Sequence, residues 1–164
     1  MKNIQQRIKE EFGNKLRVRV CGICIKENSI LMVNHSSLSE SDHFWAPPGG
    51  GMEYGQTAEE NLKREFMEET GLEIEVEKFL FVYEYLKPPL HAVELFFKVK
   101  EVGGKLITGY DPEMKKTEQI ISDVQYISIE SLIKMDKKIV HQILSKLKNI
   151  NSIGNLRGYS RNED

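Results

Sequence analysis

The run from Trp45 to Leu72, WAPPGGGMEYGQTAEENLKREFMEETGL, constrains this chain more than any other stretch. A loop built on Pro47-Pro48-Gly49-Gly50-Gly51 feeds a short, strongly acidic helix. Thr57 followed three residues later by Glu60 forms a capping box, which starts the helix just after Thr57. Gly71 stands where a helix end needs a residue in the left-handed conformation. Between these marks lie Glu59, Glu60, Glu65, Glu68 and Glu69, against only Lys63 and Arg64. At about 100° per residue, Glu65, Glu68 and Glu69 share an arc of roughly 100°. Leu62 and Phe66, four apart, form the neighbouring apolar stripe that anchors them. Like charges at this spacing cost about 0.2–0.5 kcal/mol per pair, a penalty that a divalent cation removes. Mg²⁺ suits such a site because it takes a few carboxylates together with water and phosphate oxygens. Arg64 is placed to pair with Glu60 and Glu68, one turn away on either side. An acidic run alone reads as a solvated face. The glycine loop argues otherwise, because it brings a backbone almost bare of side chains to the helix start, where a phosphate or metal can approach.

These residues resemble the Nudix box, whose pattern is Gly, five residues, Glu, seven residues, Arg-Glu-aliphatic-x-Glu-Glu-x-Gly-aliphatic. Here it reads Gly50, five residues, Gln56, seven residues, then Arg64-Glu65-Phe66-Met67-Glu68-Glu69-Thr70-Gly71-Leu72. Gln56 replaces the first glutamate, so one outer carboxylate becomes a neutral amide. Phe66 replaces the aliphatic residue. The resemblance implies an α/β fold, the Nudix α/β/α sandwich with a mixed sheet, and hydrolysis of a diphosphate linked to another moiety, usually a nucleoside. It further implies that Glu65, Glu68 and Glu69 bind Mg²⁺ (or Mn²⁺) with the Gly49 carbonyl. Arg64 would orient Glu65, and Glu65 would act as base. Some members use a glutamate from a later loop, for which Glu118 is best placed and Glu113 second.

The chain of 164 residues fits one domain with a real core. We read residues 1–150 as that domain and 151–164 as a polar tail that is disordered or lies over a partner. A net charge of −2 gives no general attraction to nucleic acid or anionic membrane. No apolar run approaches the roughly 20 residues of a membrane span. The N-terminus lacks a signal peptide's apolar core, so the chain is expected in the cytoplasm. Cys21 and Cys24 lie on a strand pattern that puts their Cα atoms about 10 Å apart, too far for a disulfide. They read as core residues.

In chain order, Ile4, Ile8 and Phe12 mark an opening helix over 2–12. Leu16–Ile25 is a strand, Lys26-Glu27-Asn28 a turn and Ile30–Asn34 the return strand. The polar segment 35–43 is a loop with His35 and His43 solvated, and Trp45 anchors the core. Glu73–Tyr85 is extended and ends at Pro88-Pro89. His91–Lys100 is a strand with His91, Val93, Leu95, Phe97 and Val99 on one face. Glu94 lies on the other face, either in the site or in solvent beside Lys98. Gly103-Gly104 reads as a hairpin turn and Gly109–Ser122 as a flexible loop over the site. Val124–Ile129 is a last strand, followed by helical segments over 130–135 and 138–147.

The expected substrate is a small nucleoside diphosphate derivative, either a nucleoside triphosphate or a nucleotide sugar. Glu94 and Gly50 are its candidate contacts. Pro88, sixteen residues after Leu72, has a spacing associated with ADP-ribose hydrolases in the resembled family. Phe44, Tyr83, Tyr85 and Phe96 are either packing residues or platforms for a base. No basic stripe with interleaved aromatics is present, which argues against long RNA. The second reading, from a different class, is a Nudix domain that senses nucleotide without turnover, since fold does not fix function. The resemblance makes a homodimer through the N-terminal helix plausible.

Overall fold

In the computed structural model, residues 4–36, 43–110 and 119–162 are described. The opening helix α1 (Ile4–Phe12) leads into β1 (Leu16–Lys26), the strand on which the sheet is assembled. β1 turns through Glu27, whose φ is 55°, into β2 (Ser29–His35). Two short strands, β3 (Phe44–Ala46) and β4 (Gly49–Gly51), precede the acidic helix α2 (Ala58–Thr70). The long pair β5 (Leu72–Lys87) and β6 (Leu90–Gly104) follows, then β7 (Ile121–Ser128), α3 (Ile129–Lys134), two 3-10 turns and β8 (Gly158–Arg161).

Among the described residues the sheet has eight strands, with the order β3-β2-β1-β6-β5-β8 and with β4 on β1 and β7 on β2. It is mixed. β6 runs parallel to β1, whereas β4 lies antiparallel to the same strand through Arg19–Gly51, Val20–Gly50 and Cys21–Gly49. β1 thus carries the glycine loop on one edge and β6 on the other.

Alternation along β1 sends side chains into two cores. On one side Val20, Leu31, Val33, Leu62, Phe66, Leu72 and Val99 pack beneath α2. Gly22 leaves room for the Phe66 ring, which a Cβ there would strike. On the other side Cys21, Ile23, Trp45, Phe81, Tyr83 and Phe96 pack under α3 and the C-terminal turns. Helical layers therefore cover both faces of the sheet, giving the expected sandwich. Cys21 and Cys24 are free, buried thiols. No described helix is long and apolar enough to cross a membrane.

Four expectations change. Gly103-Gly104 is no hairpin turn: both residues pair with Glu73 and Leu72 at the end of β6, because β5 and β6 run together for their whole length. The run 138–147 forms only a 3-10 turn over Gln142–Lys146, its approach held on Trp45, whose N–H donates to the Ile139 carbonyl and whose carbonyl accepts from the His141 N–H. Residues 151–162 are an ordered part of the fold. Ile153 is buried in the second core, and β8 adds to β5 in parallel, tied by Asn162 to the Leu86 backbone. His35 is a strand residue with its side chain only 12% exposed, 3.7 Å from Glu69.

Candidate functional site

Local sequence builds α2 as expected. Thr57 caps the N-terminus, its hydroxyl accepting from the Glu60 N–H while Glu60 accepts from the Thr57 N–H. Gly71 closes the helix at φ 70°. Since Glu60 is committed to this cap, it does not pair with Arg64 as the spacing had suggested. Arg64 Nη1 instead binds Glu68 at 2.9 Å and Nη2 binds Glu65 at 2.8 Å. Nη2 also donates to Asn61 Oδ1 at 3.2 Å.

Burial of Leu62 and Phe66 draws Glu65 and Glu69 against the glycine strand. Glu69 accepts the Gly49 N–H at 2.9 Å and is 7% exposed. The Glu65 carboxylate lies directly over Gly50, filling the space a Cβ would occupy. Gly50 is thus needed for a close approach, but the group approaching it is Glu65. Burial, then repulsion from Glu69, pushes the Glu65 carboxyl up to about 7; Arg64 works the other way, and Glu68 adds to the rise. Near neutrality such a group both holds and releases a proton.

The carbonyl end of α2 is closed by the segment after β6. Gly109 and Tyr110 donate their N–H groups to the Glu69 and Glu68 carbonyls. Glu118 and Glu113, the expected alternative bases, lie outside the described residues.

A second charged cluster is built on β1 and β6. The β1–β6 register sets Arg19 beside Glu94, with Arg19 Nε 3.2 Å from Glu94 Oε1. The other carboxylate oxygen meets His141 Nε2 at 2.8 Å. Glu94 is 7% exposed, so it faces the interior and not the solvent beside Lys98. Burial pushes its carboxyl up, but His141 and Arg19 outweigh that and hold it below the usual carboxylate range. Burial likewise opposes the Arg19 charge, yet Glu94, with smaller contributions including Glu69 and Glu65, keeps its pKa above the ordinary value. Through Arg19 the two clusters feel one another electrostatically.

His141 was missed in the sequence, where it sits inside an apolar run read as helix. It packs edge-on to Tyr83 and Phe96, with ring centroids at 5.1 and 5.6 Å. Tyr83 and Phe96 are fully buried, which makes them packing residues and not platforms. Phe44 is half-buried, with its ring 6.3 Å from that of His141.

With this geometry in place, the comparisons are specific. The NUDIX domain profile matches residues 15–147. The chain belongs to the Nudix family. Its sequence is 38% identical over 96 residues to an ADP-ribose pyrophosphatase of Methanocaldococcus jannaschii, covering 57% of this chain and 56% of that protein. It is 32% identical over 87 residues to an 8-oxo-dGTP diphosphatase of Proteus vulgaris, covering 53% and 78%. The chain thus spans little more than half the length of the archaeal relative. A crystal structure of a UDP-X diphosphatase superposes with TM-score 0.64 at 20% identity, covering 94% of this chain and 73% of that one, and supports the Nudix fold.

The box carboxylates and the Gly49 carbonyl are oxygen donors, which suits a hard cation, and the His35 imidazole stands 3.7 Å from Glu69. Among the described residues, no three His, Cys, Asp or Glu side chains already converge as a complete metal cage. Glu65 and Glu69 turn toward the glycine strand, and Glu68 turns to Arg64. Such a partial donor set fits a hard divalent cation whose shell is completed by water and substrate phosphates.

Proposed function

We propose that this Nudix domain is a metal-dependent hydrolase cleaving the diphosphate linkage of a nucleoside diphosphate derivative, a nucleoside triphosphate or a nucleotide sugar. The observation that carries this reading is the Glu65–Glu69 pair, held against Gly49-Gly50 with Glu65 raised to about 7. The activities named for the two sequence relatives support the same reaction class.

Glu65, Glu68, Glu69 and the Gly49 carbonyl would hold Mg²⁺ or Mn²⁺. When bound, the cation neutralises phosphate oxygens and lowers the pKa of bound water. Glu65 takes the proton of the attacking water as its oxygen bonds to phosphorus and the bridging P–O bond breaks. Arg64 fixes the orientation of Glu65 and Glu68. Glu118 stands as the alternative base from the later loop. From β1, Arg19 offers positive charge toward substrate phosphate, and Glu94 with His141 sets its direction. Glu94 thus contributes to substrate binding by positioning that arginine.

The test measures phosphate-product release from nucleoside di- and triphosphates, nucleotide sugars and dinucleoside polyphosphates with Mg²⁺ or Mn²⁺, for wild type and Glu69→Gln. Turnover of one class, lost in the variant, supports the proposal and names the substrate. Silence across the panel with nucleotide binding intact replaces it with the sensing domain. Turnover untouched by the substitution refutes the role of the box carboxylates.

A further inference from the structure

Helix α2 carries Glu68 and Glu69 in its last turn, where it has no basic residue. Negative charge is disfavoured at a helix C-terminus, whose final carbonyls are partly negative and lack partners within the helix. Arg64 offsets part of this from one turn back, through Glu68. The segment 105–110, directly after β6, supplies donors along the same helix end. Lys105 donates its N–H to the Gly71 carbonyl at 3.2 Å, Ile107 to Thr70 at 3.0 Å, Gly109 to Glu69 at 2.9 Å and Tyr110 to Glu68 at 3.1 Å. The Met67 carbonyl accepts from Gly71.

So close an approach needs bare backbone on both sides. A Cβ on Gly109 would overlap the Glu68 and Glu69 carbonyl oxygens, and one on Gly71 would lie 2.5 Å from the Lys105 carbonyl oxygen. Within 105–110 every residue but Gly109 is exposed. Backbone bonds and not buried apolar area therefore hold the segment, and it can open while the core stays folded. We infer that segment 105–110, seated by Gly109, positions the metal-binding carboxylates: it keeps the last turn of α2 formed and so favours metal binding, and metal binding favours its docking. Glu69 is pinned twice, its side chain by the Gly49 N–H and its backbone by the Gly109 N–H. Glu68 is held likewise by Arg64 and by the Tyr110 N–H. A divalent cation among these carboxylates removes the repulsion that frays the turn. The coupling is reciprocal, so one factor describes both effects. Gly109 is a positioning residue, acting through the backbone of Glu68 and Glu69.

This inference rests on the metal-binding role proposed for Glu65, Glu68 and Glu69, and its test separates the two. Amide hydrogen exchange of wild type is followed by NMR without and with saturating Mg²⁺. The Glu65 and Glu69 amide resonances are titrated with Mg²⁺ in wild type and in Gly109→Ala. Saturation is expected to raise the protection of the Gly109 and Tyr110 amides by about tenfold. Asn162, whose N–H donates to the Glu84 carbonyl, is expected to keep its rate. Gly109→Ala is expected to weaken Mg²⁺ binding by the same factor. If Glu65 and Glu69 respond to Mg²⁺ while the Gly109 and Tyr110 amides keep their rates, the inference falls and the metal site stands. A folded Gly109→Ala protein with wild-type Mg²⁺ affinity has the same meaning. An equal gain in protection at Asn162 marks general stabilisation and also overturns the inference. Glu65 and Glu69 resonances indifferent to Mg²⁺ in wild type refute the proposed metal site, and the inference with it. Should Gly109→Ala fail to fold, the wild-type exchange rates decide alone.

Discussion

Gly50→Ala isolates the link between backbone packing and chemistry. The added methyl lands on the Glu65 carboxylate, 2.5 Å from Oε2 and closer still to Cδ and Oε1. Ordinary contact begins at 3.4 Å, so the carboxylate must retreat by about an ångström. The far end of a glutamate can do this by rotation, and no left-handed φ at Gly50 penalises alanine. The fold therefore survives, at an overpacking cost near the low end of about 1–3 kcal/mol. Catalysis has less tolerance. Misplacement of a reacting group by about 1 Å costs about 10²-fold, equivalent to about 2.7 kcal/mol of transition-state stabilisation. The assay is kcat/KM on the substrate identified in the panel, beside a urea melt. The expected result is a drop of about 10²-fold with a midpoint close to wild type. Full activity in a folded Gly50→Ala protein would show that the position of Glu65 does not limit the reaction, and the mechanism given to it would be wrong.

Glu65→Gln removes a buried carboxylate that Glu69 repels, so without metal at pH 8 this variant should melt above wild type while losing turnover; a lower Tm contradicts the electrostatic account. Added Mg²⁺ should raise the Tm of wild type and not of Glu65→Gln, in a thermal-shift titration. Glu94 has a folded pKa below its unfolded one, so its contribution is present above the unfolded pKa and is lost as pH falls through the folded value. Wild type should therefore lose stability on the acid side more steeply than Glu94→Gln, and parallel urea-midpoint profiles would refute the pairing with Arg19 and His141. Gly22→Ala places a methyl 2.8 Å from the Phe66 Cζ in a packed core, and the expected loss is about 1–3 kcal/mol by urea melt. Deleting residues 157–164 removes β8 and the Asn162 bonds, and should lower Tm while exposing the edge of β5.

What could be read without the fold was local. Helix α2 was legible to the residue because its start, its end and its apolar stripe are set by neighbours within four positions: Thr57 with Glu60, Gly71 with Met67, Leu62 with Phe66. The strand pattern of β1, the break at Pro88-Pro89 and the burial of Trp45 were equally local. Errors arose where a residue's partner lies far along the chain. Gly103-Gly104 has the composition of a turn, but β5 extends to meet it. The tail is polar enough to read as loose, yet an open edge of β5 gives its backbone a ladder to join.

The same division runs through the site. Spacing on one helix brought Glu65, Glu68 and Glu69 to one side, since a helical repeat fixes direction without outside help. It could not say that Glu65 would fill the space over Gly50. That choice belongs to β4 lying on β1. Glu94 was ambiguous between two faces because strand alternation gives only opposite sides and not which side is inside. The parallel register of β1 and β6 decided it, placing Arg19 beside Glu94 across 75 residues of chain. His141 joins them from 47 residues further on, which no local pattern records. The sequence by itself determined the helix that carries the carboxylates; the tertiary structure decided which charges they answer to, because contacts between distant segments depend on register and packing that short-range spacing does not specify.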